Sequence, residues 1–316
     1  MREYGFELRL CAHLEAEDRL VARQLGAAVH GRRIIDVVSL DTGPAFADRA
    51  AITPDTIPPR AVESDVGPGW PTPVQDAFDC HPQTATETVE AAVDAGFFER
   101  TRHAGQPAVR QTVRYPDDWF DTIVGIECKP DLDRPGAMET QLLTDAHLGL
   151  FDKVVLATAS HVTGAHLNRL PAAVGVWVFD PKTGERTIVR EAAPLPTDTP
   201  GVEIFERSPA RTDICIVSPP ELARARRRIA ERAYGKGWRP ATAPDCTRAE
   251  SDADGVIYCP WMDRIVHPAA DCGASCGGYD AGEPPIVDRA ARRAEHSPWE
   301  PDPPGRRRTQ ASIDRY

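Results

Sequence analysis

The sequence predicts an α/β protein, with a mixed β-sheet flanked by helices, a small inserted module and a cysteine-rich C-terminal segment. Three observations predict it. Short β-branched runs, such as Thr122-Ile123-Val124-Gly125-Ile126 and Val174-Gly175-Val176-Trp177-Val178, read as strands entering a core. Longer stretches with helical apolar spacing alternate with them. The resulting order of helix, strand, insertion, strand, helix, strand, strand gives a mixed sheet rather than an all-helical or all-β layout.

Each element has its own signal. Phe6, Leu10, His13-Leu14 and Val21 keep a helical stripe, so residues 1–25 read as a helix with Glu7 at one edge. Glu7 reads equally as a side chain projecting toward a site or as an exposed first-turn acid favoured by the helix dipole. Ile34, Ile35, Val37, Val38 and Leu40 make residues 31–40 a strand around one acid, Asp36. Asp is disfavoured in strands, so Asp36 calls for a partner, either a cation or a salt bridge to Arg32 or Arg33. Residues 41–73 are rich in Pro, Gly and Asp without periodicity and read as a linker or long loop. In the inserted module, 74–116, a short helix over 73–78 and a better one over 84–95 end at Gly96. Two strands, 97–100 and 108–114, follow. Helix, helix and hairpin in that order resemble a winged helix, with Arg100, Arg102, Arg110 and Arg114 as nucleic-acid contacts or as a solvated hairpin face.

The second half continues the pattern. Residues 137–151 form a helix with Gln141 near its start, 153–159 and 174–180 are strands, and 187–190 closes a hairpin. Two further strands fall within 202–217, and 220–233 is an arginine-rich helix. The expected organisation is a core of residues 1–40 and 117–195, the loop 41–73, the module 74–116, a helical and cysteine-rich segment 196–280, and a disordered tail 281–316 ending in Arg306-Arg307-Arg308.

Composition narrows the setting. The formal charge is -11, and only four lysines occur, Lys129, Lys153, Lys182 and Lys236. This acidic, lysine-poor composition looks like that of an extreme halophile protein. Net acidity normally argues against nucleic acid. At molar salt the Debye length is about 3 Å and counterion release contributes little, so the charge does not exclude DNA. No apolar run approaches a membrane span, and the start of the chain carries no secretory pattern, so a cytoplasmic location is expected.

The chemistry concentrates at Ile126-Glu127-Cys128-Lys129. Residues two apart share one face of a strand, so Glu127 and Lys129 lie together and Cys128 points into the apolar side. A carboxylate and an ammonium at the end of an apolar strand are costly to bury without a task. Phosphodiester cleavage uses both, the carboxylate to hold a divalent cation and the ammonium to orient water and offset charge. A surface salt bridge is the alternative.

These residues resemble the PD-(D/E)XK, or restriction-endonuclease-like, nuclease superfamily. Its pattern is a helix with a Glu, a strand with an Asp, a strand with Glu-x-Lys and a following helix that often carries a Gln. Here those fall at Glu7, Asp36, Glu127 with Lys129, and Gln141. The local likeness is to archaeal Holliday-junction resolvases, through Tyr4-Gly5-Phe6-Glu7, Val21-Ala22-Arg23, Asp36-Val37-Val38-Ser39-Leu40 and Ile126-Glu127-Cys128-Lys129. The resemblance covers residues 1–40 and 120–180, and the whole chain also looks like an uncharacterised family of halophilic archaea. One departure is the spacing of about ninety residues between Asp36 and Glu127, where compact members have a short hairpin. Asp117, Asp118 or Asp121 would then be the partner if Asp36 were structural. The resemblance implies a metal-dependent DNA endo- or exonuclease, in repair or recombination, working as a homodimer. It implies Mg²⁺ or Mn²⁺ on Asp36, Glu127 and the Cys128 carbonyl, with Lys129 positioning water, Glu7 assisting and Gln141 orienting substrate. The competing reading is a non-catalytic nuclease-fold protein that binds DNA or a protein partner.

Late in the chain, Cys246, Cys259, Cys272 and Cys276 fall within some thirty Asp-, Gly- and Pro-rich residues. Four thiolates there read as a Zn²⁺ site, with an iron–sulfur cluster or unligated thiols as alternatives. Cys11, Cys80 and Cys215 read as ordinary buried thiols.

Overall fold

A computed structural model describes residues 2–133 and 138–305. In chain order the first elements are α1 (Glu3–Glu15), β1 (Leu20–Gly26) and β2 (Ile34–Thr42). Then come α2 (Phe46–Ala50), α3 (Pro59–Val62), β3 (Thr72–Pro73), α4 (Val74–Ala77), α5 (Pro82–Asp94), β4 (Phe98–His103) and β5 (Gln106–Gln111). The middle of the chain forms β6 (Phe120–Cys128), α6 (Met138–Leu148), β7 (Lys153–Thr158), α7 (Gly164–Arg169), β8 (Gly175–Phe179) and β9 (Arg186–Arg190). Last are β10 (Gly201–Arg207), β11 (Thr212–Val217), α8 (Pro219–Lys236), β12 (Glu250–Ser251), β13 (Ile257–Cys259), β14 (Arg264–Ile265), α9 (Pro268–Asp271) and α10 (Arg289–His296).

Two compact units result. One combines Met1–Asp41, Thr122–Ala233 and Gly237–Pro298. It holds a mixed six-stranded sheet in the order β1-β2-β6-β7-β8-β9. The pairs β1–β2 and β8–β9 are antiparallel, and β6–β7 and β7–β8 are parallel. Strand alternation sorts the side chains. Val37, Val124, Ile126 and Cys128 join Phe6, Leu10 and Leu14 of α1 in one buried cluster. By the same alternation, Glu127, between Ile126 and Cys128, faces the other side.

The other unit is built on Thr42–Asp121, with short pieces of the late chain. A three-stranded sheet β3-β5-β4 packs there with α5. Arg49 is fully buried in this unit, its guanidinium 4.1 Å from the Tyr234 ring centroid, and it donates to the Thr53 and Asp55 carbonyls. The expected loop over 41–73 is thus replaced by α2, α3 and β3, with Ile52, Ile57, Ala61 and Val66 buried. Its apolar residues are spaced too irregularly to show a period, and prolines punctuate it.

Three other expectations need correcting. The helix expected over 1–25 stops at Glu15, Asp18 takes a left-handed φ of 62°, and Leu20–Gly26 is a strand. Pairing with β2 buries Leu20, Val21 and Ala22 and satisfies their backbone groups, which outweighs a weak helical stripe. The tail expected to be disordered from 281 contains α10, capped by Asp288 and anchored by buried Arg293, which donates to the Ala233 carbonyl. The Arg306–Arg308 run, and residues 134–136 of the turn after β6, lie outside the described residues. Cys11 is buried, but Cys80 and Cys215 are only partly so. Among the described residues no helix is long and apolar enough to cross a membrane.

Candidate functional site

The site lies where α1, β2 and the end of β6 meet. Glu3 and Glu7 are four apart on α1 and so share one helix face. Each offers a carboxylate oxygen, and with an oxygen of Asp36 all three lie within 4.8 Å of one another. Glu7 is 3% exposed and Asp36 9%, so this is a partly enclosed acidic cluster.

Asp36 is held from two directions. One carboxylate oxygen accepts the Cys128 backbone N–H at 2.9 Å, and the other accepts the Gln24 amide at 3.3 Å. Gln24 also donates to Glu7 Oε2 at 3.2 Å, and Arg23 reaches the same oxygen at 2.6 Å. The β1–β2 register skips the Gln24–Asp36 pair, and Gln24 takes a left-handed φ of 52°. A non-glycine residue there is strained, and the strain turns the amide toward both acids. Burial pushes the Glu7 carboxyl above its ordinary range, against the pull of Arg23.

Glu127 is 1% exposed and sits at the other end of the site. Its Oε2 accepts from Arg33 Nη2 at 2.7 Å. Arg33 in turn makes a two-pronged pair with fully buried Asp145 of α6, at 3.0 and 2.7 Å. Gln141, its amide oriented for its neighbours, donates to Glu127 Oε1 at 3.0 Å and accepts from Arg33 Nη1 at 3.2 Å. Burial, followed by the charge of Asp36, pushes Glu127 up to about 7, with Arg33 opposing the rise. Burial also raises the Asp145 carboxyl, again against Arg33.

Lys129 connects the two ends. Its ammonium is 3.2 Å from Glu3 and 4.0 Å from Glu127 Oε1, with the side chain 20% exposed. Burial works against its charge, but its contacts with Glu3, and then Glu127 and Asp36, raise its pKa on balance. The donors are hard carboxylate oxygens beside an exposed-edge ammonium, a set suited to a hard divalent cation and an anionic substrate.

Glu7, Asp36, Glu127, Lys129 and Gln141 are therefore brought together. The salt bridge offered for Asp36 does not form with Arg33, which serves Glu127 and Asp145 instead. Glu3, Asp145 and the true partners of Arg33 were not foreseen from the sequence. The signal was present: Glu3 with Glu7, and Gln141 with Asp145, are both spaced by four on helices.

The four module arginines are not gathered. Glu99 faces Arg110 across the β4–β5 pair and binds it, whereas Arg100 faces Val109 and so lies on the opposite face. Arg100 is 3.9 Å from Glu90, and Arg114 lies beyond the strand. A single basic face does not form.

No curated protein and no solved structure matches the chain. A family model described as a family of unknown function (DUF5787) matches residues 20–281, which takes in Asp36, Glu127, Lys129 and the four late cysteines. With most of its length matched, this chain belongs to that family.

Proposed function

We propose that the chain is a metal-dependent deoxyribonuclease of the PD-(D/E)XK type. The observation that carries this reading is the acidic cluster of Glu3, Glu7 and Asp36, with Lys129 reaching from Glu3 to Glu127 and the Asp36 charge felt at Glu127. Asp36 and Glu127 would hold Mg²⁺ or Mn²⁺ together with the Cys128 carbonyl, and the Asp36 bond to the Cys128 N–H fastens the end of β6 beside the acids. The cation supplies positive charge to the phosphate. Lys129 is positioned to orient the attacking water and offset the charge that builds on the phosphate oxygens. Glu7 acts beside the cation or through water. Gln141 holds Glu127 and Arg33 in register from α6.

The Arg33–Glu127 pair favours a second reading, a non-catalytic binder. A guanidinium on Glu127 does part of a cation's work and leaves the carboxylate less available. The order α4, α5, β4, β5 supports a winged-helix-like module in either reading. One experiment separates them. Labelled linear, flapped and four-way DNA is incubated in molar KCl with Mg²⁺ or Mn²⁺, using the parent, Lys129→Ala and Asp36→Ala. The nuclease reading expects cutting by the parent and a loss of at least about a hundredfold in both variants, the scale of a removed charge-stabilising group. DNA binding without cutting would select the binder. Cutting that survives both substitutions would place the chemistry elsewhere.

A further inference from the structure

The segment after α8 lends Trp238, Val256 and Ile265 to the main buried cluster and otherwise keeps only a small core of its own. Its sheet, β12-β13-β14, has strands of two, three and two residues. Its buried cluster is Cys246, Ala249, Ile257, Cys259 and Val266, so two of five members are thiols. A satellite cluster this small gains stability from a cross-link or a metal. All eight cysteines are free thiols, so no disulfide provides the link.

The fold gathers four of those thiols. Cys246 and Cys259 lie within the cluster and Cys272 packs against it. Cys276 follows four positions on, its N–H bonded to the Gly273 carbonyl at 2.9 Å, so that a tight turn brings it back beside Cys272. Three of the four open a tight turn closed by a bond to their own carbonyl. The Ala249 N–H donates to Cys246 O at 3.1 Å, Met262 N–H to Cys259 O at 3.2 Å, and Tyr279 N–H to Cys276 O at 3.0 Å. Such turns fix the cysteine backbone and leave the side chain to choose its rotamer. His267 is engaged elsewhere, against the Tyr4 ring at 4.6 Å.

We infer that Cys246, Cys259, Cys272 and Cys276 hold one structural Zn²⁺ ion, and that this ion ties the small cluster together. Four soft thiolates are the donor set for tetrahedral zinc. Zn–S bonds of about 2.3 Å put the sulfurs roughly 3.8 Å apart. Among the described residues, the set of three or more donors within 4.8 Å is the acidic one, so the thiols lie further apart than a closed site requires. Cys272 and Cys276 are partly exposed, so closing the site on the ion calls for rotation of these two side chains. Each bound thiolate releases its proton, so affinity rises with pH.

The test uses the full chain, purified without metal-affinity resin, and does not depend on the nuclease reading. Elemental analysis should give about one zinc per chain, and near zero in a Cys272→Ser/Cys276→Ser double variant. Asp36→Ala should keep its zinc, which separates this site from the acidic one. Should the double variant fail to fold, two measurements on the parent decide. Cobalt added after chelation should produce intense sulfur-to-cobalt charge transfer, and chelation should expose four further thiols to a maleimide. Zinc-free protein whose unfolding and thiol count ignore chelator would overturn the inference. Iron with acid-labile sulfide would overturn it in favour of a cluster.

Discussion

Glu127 carries a prediction at the level of one residue. Its carboxyl keeps a proton in the folded chain that the unfolded chain releases, between the ordinary 4.5 and about 7. The folded state binds more protons across that window, so stability falls as pH rises through it. Glu127→Gln removes the titration. The variant should exceed the parent in stability above about 7, by up to about 3 kcal/mol at 1.36 kcal/mol per unit, and the difference should vanish below 4.5. Denaturant unfolding at a series of pH values measures this, and parallel curves would sink it. At this scale the sequence was informative about types and poor about pairs. Glu-x-Lys and the Asp within an apolar strand stood out because charge is rare there. Which arginine meets which acid is decided by side-chain reach across non-neighbouring elements, and no local pattern encodes it. Arg33 spans β2, β6 and α6 in that way.

Elements were legible where one face is buried and one is not, as in α5 and α6, and where a β-branched run is buried on both faces, as in β6. They were poorly legible where pairing decides, as in β1, or where pieces are too short for a period, as in β12, β13 and β14. Strand β6 also shows how tightly the site's frame is packed. Gly125 lies two residues before Glu127, and a Cβ there would meet the fully buried Phe151 ring at 2.8 Å. At that distance the ring or the strand must shift. Gly125→Ala should lose about 1–3 kcal/mol of stability, the usual cost of overpacking. Thermal unfolding reads the loss directly, and an unchanged midpoint would mean that Phe151 repacks freely.

Across the whole molecule, charge governs behaviour more than any single contact does. A formal charge of -11 leaves the acids in excess of the arginines and four lysines and gives net self-repulsion. Raising KCl from about 0.1 M to 1 M shortens the screening length from about 10 Å to about 3 Å. The unfolding temperature should climb with KCl over that range, and a fall would mean that attractive surface pairs outweigh the repulsion. Composition made this property visible from the outset. The two-unit layout was not visible, because the stretch from 41 to 73 has no pattern that separates a folded piece from a linker.

The insertion has a bearing on the order of folding. Strands β2 and β6 are neighbours in the sheet, yet nearly eighty residues lie between Thr42 and Phe120. Closing a floppy loop of that length costs entropy that grows with the logarithm of its size. This segment is fastened at its own entrance: Gly43 N–H donates to the Trp119 carbonyl at 2.9 Å, and Ala45 N–H to the Asp118 carbonyl at 3.1 Å. Once those bonds form, the loop that joins the two strands is in effect a few residues long. A nascent chain that has completed the insertion therefore brings Asp36 and Glu127 within reach of each other as a local event, although they are ninety-one positions apart in the sequence.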